Sequence, residues 1–202
     1  MNVSKRLLLS LGLMLVCQVA SAEAKPQLPP LSINAIPVCY NFGCNIRQVI
    51  KLTPTEWQGV AGWFSPPPKT PAQERQDIRH AIGWMEVLVG RKTPTHLDAA
   101  MDDLLPSDSP GQEDCIDESL NTTTYLHLME KYHLFRFHKV LKRAYRKAIL
   151  DQHWAGQIEE LDNGERFVVD SWFGPNGTLP FVQPTKIWSQ IHYFGSANSS
   201  TF

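Results

Sequence analysis

The chain has 202 residues, 43% hydrophobic and 19% charged, with 19 Lys and Arg set against 20 Asp and Glu for a net charge of −1. That balance excludes the broad basic field that drives nonspecific binding to nucleic acid or anionic membranes, so any electrostatic recognition has to be local. Low complexity is confined to "KPQLPP", "SPPPKTP" and the tail "GSANSSTF", and no internal repeat is present.

The N-terminus opens with Lys5 and Arg6, an apolar run from Leu7 to Val19, and Ala20-Ser21-Ala22. These are the three parts of a cleavable signal peptide over residues 1–22, which predicts a mature chain starting near Glu23 and a periplasmic or secreted destination. The run is shorter than the roughly 20 apolar residues a membrane span needs, and no stable span is expected in the mature chain. Val16 stands where a lipidation signal would place a small residue before Cys17, which argues against a lipid anchor. Residues 23–195 fit one domain, long enough to bury roughly two thirds of the unfolded surface, with 196–202 as a disordered tail.

Loss of Cys17 with the signal leaves Cys39, Cys44 and Cys115. "CYNFGC" sets Asn and Gly between the first two, so the chain can turn back and close a Cys39–Cys44 disulfide in an oxidising compartment; two buried free thiols are the alternative. Cys115 is then the odd cysteine, either bridged to another chain, buried and inert, or reactive.

"TPTEWQGVAGWF" reads as a short helix with Trp57, Val60, Ala61 and Phe64 inward, its tryptophans alternatively lining a cleft. Thr70-Pro71 with Gln73 marks the start of a longer helix, whose stripe Ile78, Ala81, Ile82, Met85 and Val89 ends at Gly90. After the turn-rich stretch from Pro106 to Gly111, Ile116, Leu120, Thr123, Thr124 and Leu128 recur at helical spacing, so a helix begins at Cys115. Asp114 is its natural N-cap, and Asp117 and Glu118 suit the positive end of the dipole. A thiol at a helix start has its thiolate favoured. The neighbouring acids oppose it, so reactivity requires a histidine brought from elsewhere.

Lys139, Lys142, Arg143, Arg146 and Lys147 form a basic run that reads as the solvated face of a helix or strand. Alternatively Lys142, Arg143 and Arg146 form a cleft rim for an acidic substrate. His127, His133 and His138 match no compact metal motif, and neither metal nor cofactor is expected. Residues 152–173 predict two strands, Trp154 to Leu161 and Arg166 to Phe173, around Asp162-Asn163-Gly164. His153 opens the first. Asp170 interrupts the apolar run Phe167-Val168-Val169 on the second, where an imidazole across the hairpin would satisfy it. A strict two-residue turn at Asn163-Gly164 pairs residue 153 with 174 and leaves Asp170 four positions away, so the pairing needs a longer loop or a bulge.

"EDCIDESLNTTTYLHLMEKYHLFRFHKV" resembles the cysteine helix and following strand of the transglutaminase-like core, a group within the papain-like cysteine protease superfamily. "HWAGQIEELDNGERFVVDSW" resembles its histidine and aspartate hairpin. The resemblance, to an exported bacterial member, spans roughly residues 110–175; "KYHLFRFHKV" is bulkier and more basic than the glycine and small residues usual after that helix. It implies an α+β fold in which N-terminal helices, the cysteine helix among them, pack on an antiparallel sheet. It also implies Cys115 as nucleophile, His153 as general base and acid, and Asp170 as the group orienting the imidazole. The implied activity is cleavage or transfer of peptide or isopeptide bonds through a thioester. Its substrates would be a protein, a peptide or a peptide-containing wall polymer, with no nucleic-acid partner. Gln112 and Trp57 are candidate oxyanion donors beside the Cys115 N–H. The alternative is a catalytically inactive binding or structural module with the same fold and compartment.

Overall fold

The computed structural model describes residues 28–101, 110–148 and 151–191. The expected signal peptide, residues 106–109 of the turn-rich stretch and the polar tail lie outside these. The architecture is α+β, and the Cys39–Cys44 disulfide is formed, with a Cα–Cα distance of 4.6 Å. No helix among the described residues is long and apolar enough to cross a membrane.

β1 (Ile36–Tyr40) and β2 (Ile46–Ile50) make a hairpin whose turn the disulfide closes. α1 (Pro54–Ala61) starts with a full capping box, Thr53 Oγ1 accepting from Glu56 N and Glu56 Oε2 accepting from Thr53 N. A 3-10 turn (Gly62–Phe64) continues it, and Val60 and Phe64 are buried while Trp57 and Ala61 are half-buried. α2 (Pro71–Gly90) is capped by Thr70, but Gln73 reaches back to Lys69 N instead of completing the reciprocal bond. Its apolar stripe is buried as expected.

α3 (Cys115–Lys131) packs on β5 (Asp151–Glu160), the long strand at the centre of the five-stranded antiparallel sheet. One edge of β5 pairs with β6 (Arg166–Asp170), which pairs with β7 (Phe181–Pro184); the other edge pairs with β3 (His138–Val140) and then β4 (Ala144–Ala148) in tandem. Gly156 lets the helix approach: a Cβ there would meet Thr122 Cγ2 at 2.9 Å and Leu126 Cδ1 at 3.3 Å. Ile158 and Val169 join Leu126, Met129, Ile78, Ile82 and Met85 in the main core on this side. Alternation along the strands turns Ala155 and Val168 to the opposite side, where they form a smaller cluster with Ala144 and Trp188 of α4 (Thr185–Trp188).

The β5–β6 loop supplies the length the hairpin needs. Glu160 N donates to Glu165 O at 2.8 Å and Gly164 N to Glu160 O at 2.9 Å, so four residues, 161–164, make the connection. Gly164 takes φ +72° and Asn163 Oδ1 accepts from Glu165 N at 2.7 Å. The register aligns Gly156 with Val169. Carried three pairs on, it sets residue 153 opposite 172. Asp170 falls opposite Ala155, on the same side as His153 and diagonal to it, within side-chain reach.

Candidate active site

The start of α3 is built from three carboxylates and the disulfide loop. Asp114 Oδ1 accepts from Ile116 N at 3.0 Å and from Asp117 N at 2.9 Å, while its Oδ2 takes Gly43 N at 2.9 Å. Asp117 Oδ1 takes Cys44 N at 2.6 Å. Asn41, Phe42, Gly43 and Cys44 all hold positive φ, which turns successive N–H groups to one side as an anion-binding concavity. Asn121 extends the join, accepting from Cys39 N at 2.8 Å and donating to Cys39 O at 2.8 Å and to Glu113. The acids beside Cys115 therefore anchor the helix to the disulfide hairpin.

Cys115 stands outside the Cys39–Cys44 disulfide and is 9% exposed, with Sγ 3.9 Å from the Gln152 carbonyl oxygen, one residue before His153 on β5. His153 and Asp170 are brought together: Nε2 lies 2.9 Å from Oδ2 and 3.1 Å from Oδ1, with both residues buried. An imidazole nitrogen facing a carboxylate carries the proton, so Nε2 is the donor and Nδ1 is the basic nitrogen of the neutral ring. Trp188 Nε1 donates to Asp170 Oδ2 at 2.8 Å and completes its surroundings. The imidazole sits among Trp172, Trp188 and Phe173, with ring centroids at 4.8, 5.7 and 5.8 Å.

The other sequence-predicted residues divide. Arg146 is buried, directly across β4 from His153, with its guanidinium over the Trp188 ring at 4.7 Å and Nη1 donating to Trp188 O. It is a wall of the His153 enclosure instead of an exposed rim. Lys142 is exposed, and Arg143 is half-buried against α3. The Gln112 amide is engaged at both ends, accepting from Ala99 N at 3.1 Å and donating to Leu97 O at 2.6 Å. Trp57 packs on Tyr132, just beyond the far end of α3. At 1.5 Å per residue that is about 25 Å from Cys115, so the oxyanion role expected of Trp57 is not available to it. His138 is held between Glu74 and Arg75, while His127 pairs with Glu130 on the exposed face of α3.

A buried acidic cluster that the sequence reading did not assemble lies beside the site. Carboxylate oxygens of Asp98, Glu113 and Glu118 lie within 4.8 Å of one another, and Asp98 Oδ1 accepts from Glu113 N at 2.7 Å. Carboxylate oxygens are the donor type that hard cations take. Glu86 adds its charge from α2. Burial pushes the Glu86 carboxyl up to about 7, with the nearby Ser171 hydroxyl and the Gly177 N–H opposing the rise and the Asp98 charge adding to it. Burial, then the neighbouring carboxylates, drive Glu113 and Glu118 well above the usual range, and Asp170 is among the charges acting on Glu118. The sequence signal was available in part, since Glu86 stands four residues after Ile82, beside the apolar stripe of α2.

No protein-family model, curated protein or solved structure matches this chain. The functional reading therefore rests on the residues themselves.

Proposed function

We propose that the chain is an exported thiol enzyme of the transglutaminase-like kind, with a papain-like core, that cleaves or transfers amide bonds. The observation that carries this reading is the buried His153–Asp170 hydrogen bond, on the strand against whose main chain the Cys115 thiol rests. His153 Nδ1 takes the thiol proton, and the Cys115 thiolate attacks an amide carbonyl. Asp170, itself held by Trp188, fixes the tautomer and stabilises the imidazolium. His153 returns the proton to the departing amine, leaving a thioester. Water resolving it makes a hydrolase and an amine makes a transferase. The Cys115 N–H, at the first position of α3, is the first oxyanion donor of this scheme. Export places the substrate among proteins, peptides or peptide-containing wall polymers outside the cytoplasm.

A second reading, an inactive binding or structural module, is favoured by two observations. Cys115 is only 9% exposed. Strand alternation also sends the His153 and Asp170 side chains to the side of the sheet opposite Gly156 and Ile158, which underlie α3. Alkylation of Cys115 in the mature protein by iodoacetamide between pH 4 and 9, beside His153→Ala, decides between them. Fast alkylation persisting well below the ~8.5 of an ordinary thiol, and lost in the variant, supports the enzyme. An ordinary thiol profile indifferent to His153 leaves the module.

A further inference from the structure

Arg143 lies in the break between β3 and β4, with its guanidinium laid on the Trp154 ring, Cζ 4.5 Å from the centroid. Nη1 donates to Ser119 Oγ at 2.8 Å and to Ile116 O at 3.4 Å, pinning the group against the first turn of α3. These bonds use one nitrogen of a fork that carries five N–H donors. Among the described residues no carboxylate lies within ion-pairing distance of it. Arg75, also partly buried, shows the contrast, being bonded to Glu160 at 2.7 Å. Burial lowers the Arg143 pKa, opposed by the charges of Cys115 and then Asp114, so the guanidinium stands within electrostatic reach of the thiol.

A planar cation fixed by stacking, with Nε and Nη2 uncommitted and the nucleophile beside it, has the chemistry of a carboxylate receptor. Resting on the thiol-enzyme reading above, we infer that Arg143 binds an anionic group of the acyl donor. The substrate class is then acidic: a peptide carrying a carboxylate within a few bonds of the carbonyl that Cys115 attacks. Arg143 acts as a specificity residue, and Trp154 and Ser119 hold it in place.

The test compares two alkylating probes, iodoacetate and iodoacetamide, on the mature protein. In both the Cys115 thiolate attacks the methylene carbon, an S–C bond forms and iodide leaves; only iodoacetate presents a carboxylate. With Cys39 and Cys44 bonded to each other, Cys115 is the thiol that reports. The ratio of the iodoacetate to the iodoacetamide rate constant is expected to fall about tenfold in Arg143→Gln, the scale of a lost charge-assisted hydrogen bond. Arg143→Lys, which keeps the charge without the fork, is expected to lie between the two, and it carries the test if the Gln variant melts below the assay temperature. An equal ratio in wild type and variants overturns the inference. So does a change that moves both reagents together, since that would mean Arg143 acts only on thiol ionisation. The two readings fail separately. Iodoacetamide alkylation indifferent to His153→Ala sinks the enzyme, whereas normal His153 dependence with an unchanged ratio sinks Arg143 alone.

Discussion

Glu86→Gln should stabilise the protein at pH 8 and leave it nearly unchanged at pH 4.5. Glu86 is buried among Asp98, Glu113 and Glu118; its Oε2 accepts from Gly177 N at 2.9 Å, while Oε1 has no hydrogen-bond partner. Burial first, and the Asp98 charge with it, moves its carboxyl from 4.5 to about 7. Below 4.5 the group is neutral in both folded and unfolded chains and no stability is lost. Between 4.5 and 7 only the unfolded chain releases the proton, so stability falls as pH rises; above 7 both ionise and the loss is complete. At about 1.4 kcal/mol per pH unit the loss is roughly 3 kcal/mol. Glutamine keeps an acceptor for Gly177 N, never ionises, and removes one of the charges that raise Glu113 and Glu118. Urea denaturation at the two pH values reads the difference: wild type should lose stability from pH 4.5 to 8, and the variant should exceed it by up to about 3 kcal/mol at pH 8 only. A variant no more stable than wild type at pH 8, or equally shifted at both pH values, would refute the assignment of a buried, proton-holding carboxyl.

Gly156→Ala drives a Cβ to 2.9 Å from Thr122 Cγ2 and 3.1 Å from Val169 O. It should cost about 1–3 kcal/mol by overpacking, read as a lower melting temperature, and should slow Cys115 alkylation if α3 lifts from β5. Asp170 Oδ2 accepts from both His153 Nε2 and Trp188 Nε1, so in Asp170→Asn the amide oxygen can hold that place while the NH2 group falls where Oδ1 stood, 3.1 Å from His153 Nε2, donor beside donor. The expected loss is about 1–3 kcal/mol, read by urea denaturation, and an unchanged midpoint would refute the donor assigned to His153 Nε2. Reduction of the Cys39–Cys44 bond frees a loop whose closure contributes roughly 2 kcal/mol. Melting with and without a phosphine reductant should show that loss, and Cys39→Ser with Cys44→Ser should abolish the response.

The elements legible in the sequence are those set by local chemistry. Asp114 begins α3 because its carboxylate caps two N–H groups of the first turn, and Thr70 with Pro71 begins α2 for the same local reason. The disulfide follows from four residues that turn the chain. The register of the β5–β6 hairpin was beyond that reach. Asn163-Gly164 carries two-residue turn chemistry, yet Gly164 alone takes positive φ while Asn163 spends its side chain on Glu160 and Glu165, lengthening the loop to four. Trp188 could not be placed either, because the indole N–H that meets Asp170 comes from an element formed after two further turns of chain. Arg146 read as a solvated cation because its sequence neighbours alternate with apolar residues; burial came from Trp188 covering that side of the sheet.

The buried acids show how one stretch serves stability and chemistry in opposite senses. Asp114 and Asp117 fasten α3 to the disulfide hairpin through the Gly43 and Cys44 N–H groups, which fixes the position of Cys115. Burial, with Asp114 adding to it, moves the Asp117 carboxyl up to about 7, so part of that anchoring charge is absent in mildly acid solution. Glu118, one residue further on, feels the charge of Asp170 itself. Protons held in this region therefore lessen the negative potential beside the thiol and weaken the carboxylate grip on the helix start. Raising the pH strengthens the grip and adds charge that opposes a thiolate. The pH dependence of Cys115 reactivity must then carry, besides His153, the titration of the carboxylates behind α3, and Glu86→Gln is the substitution that separates the two because it touches neither the thiol nor the imidazole.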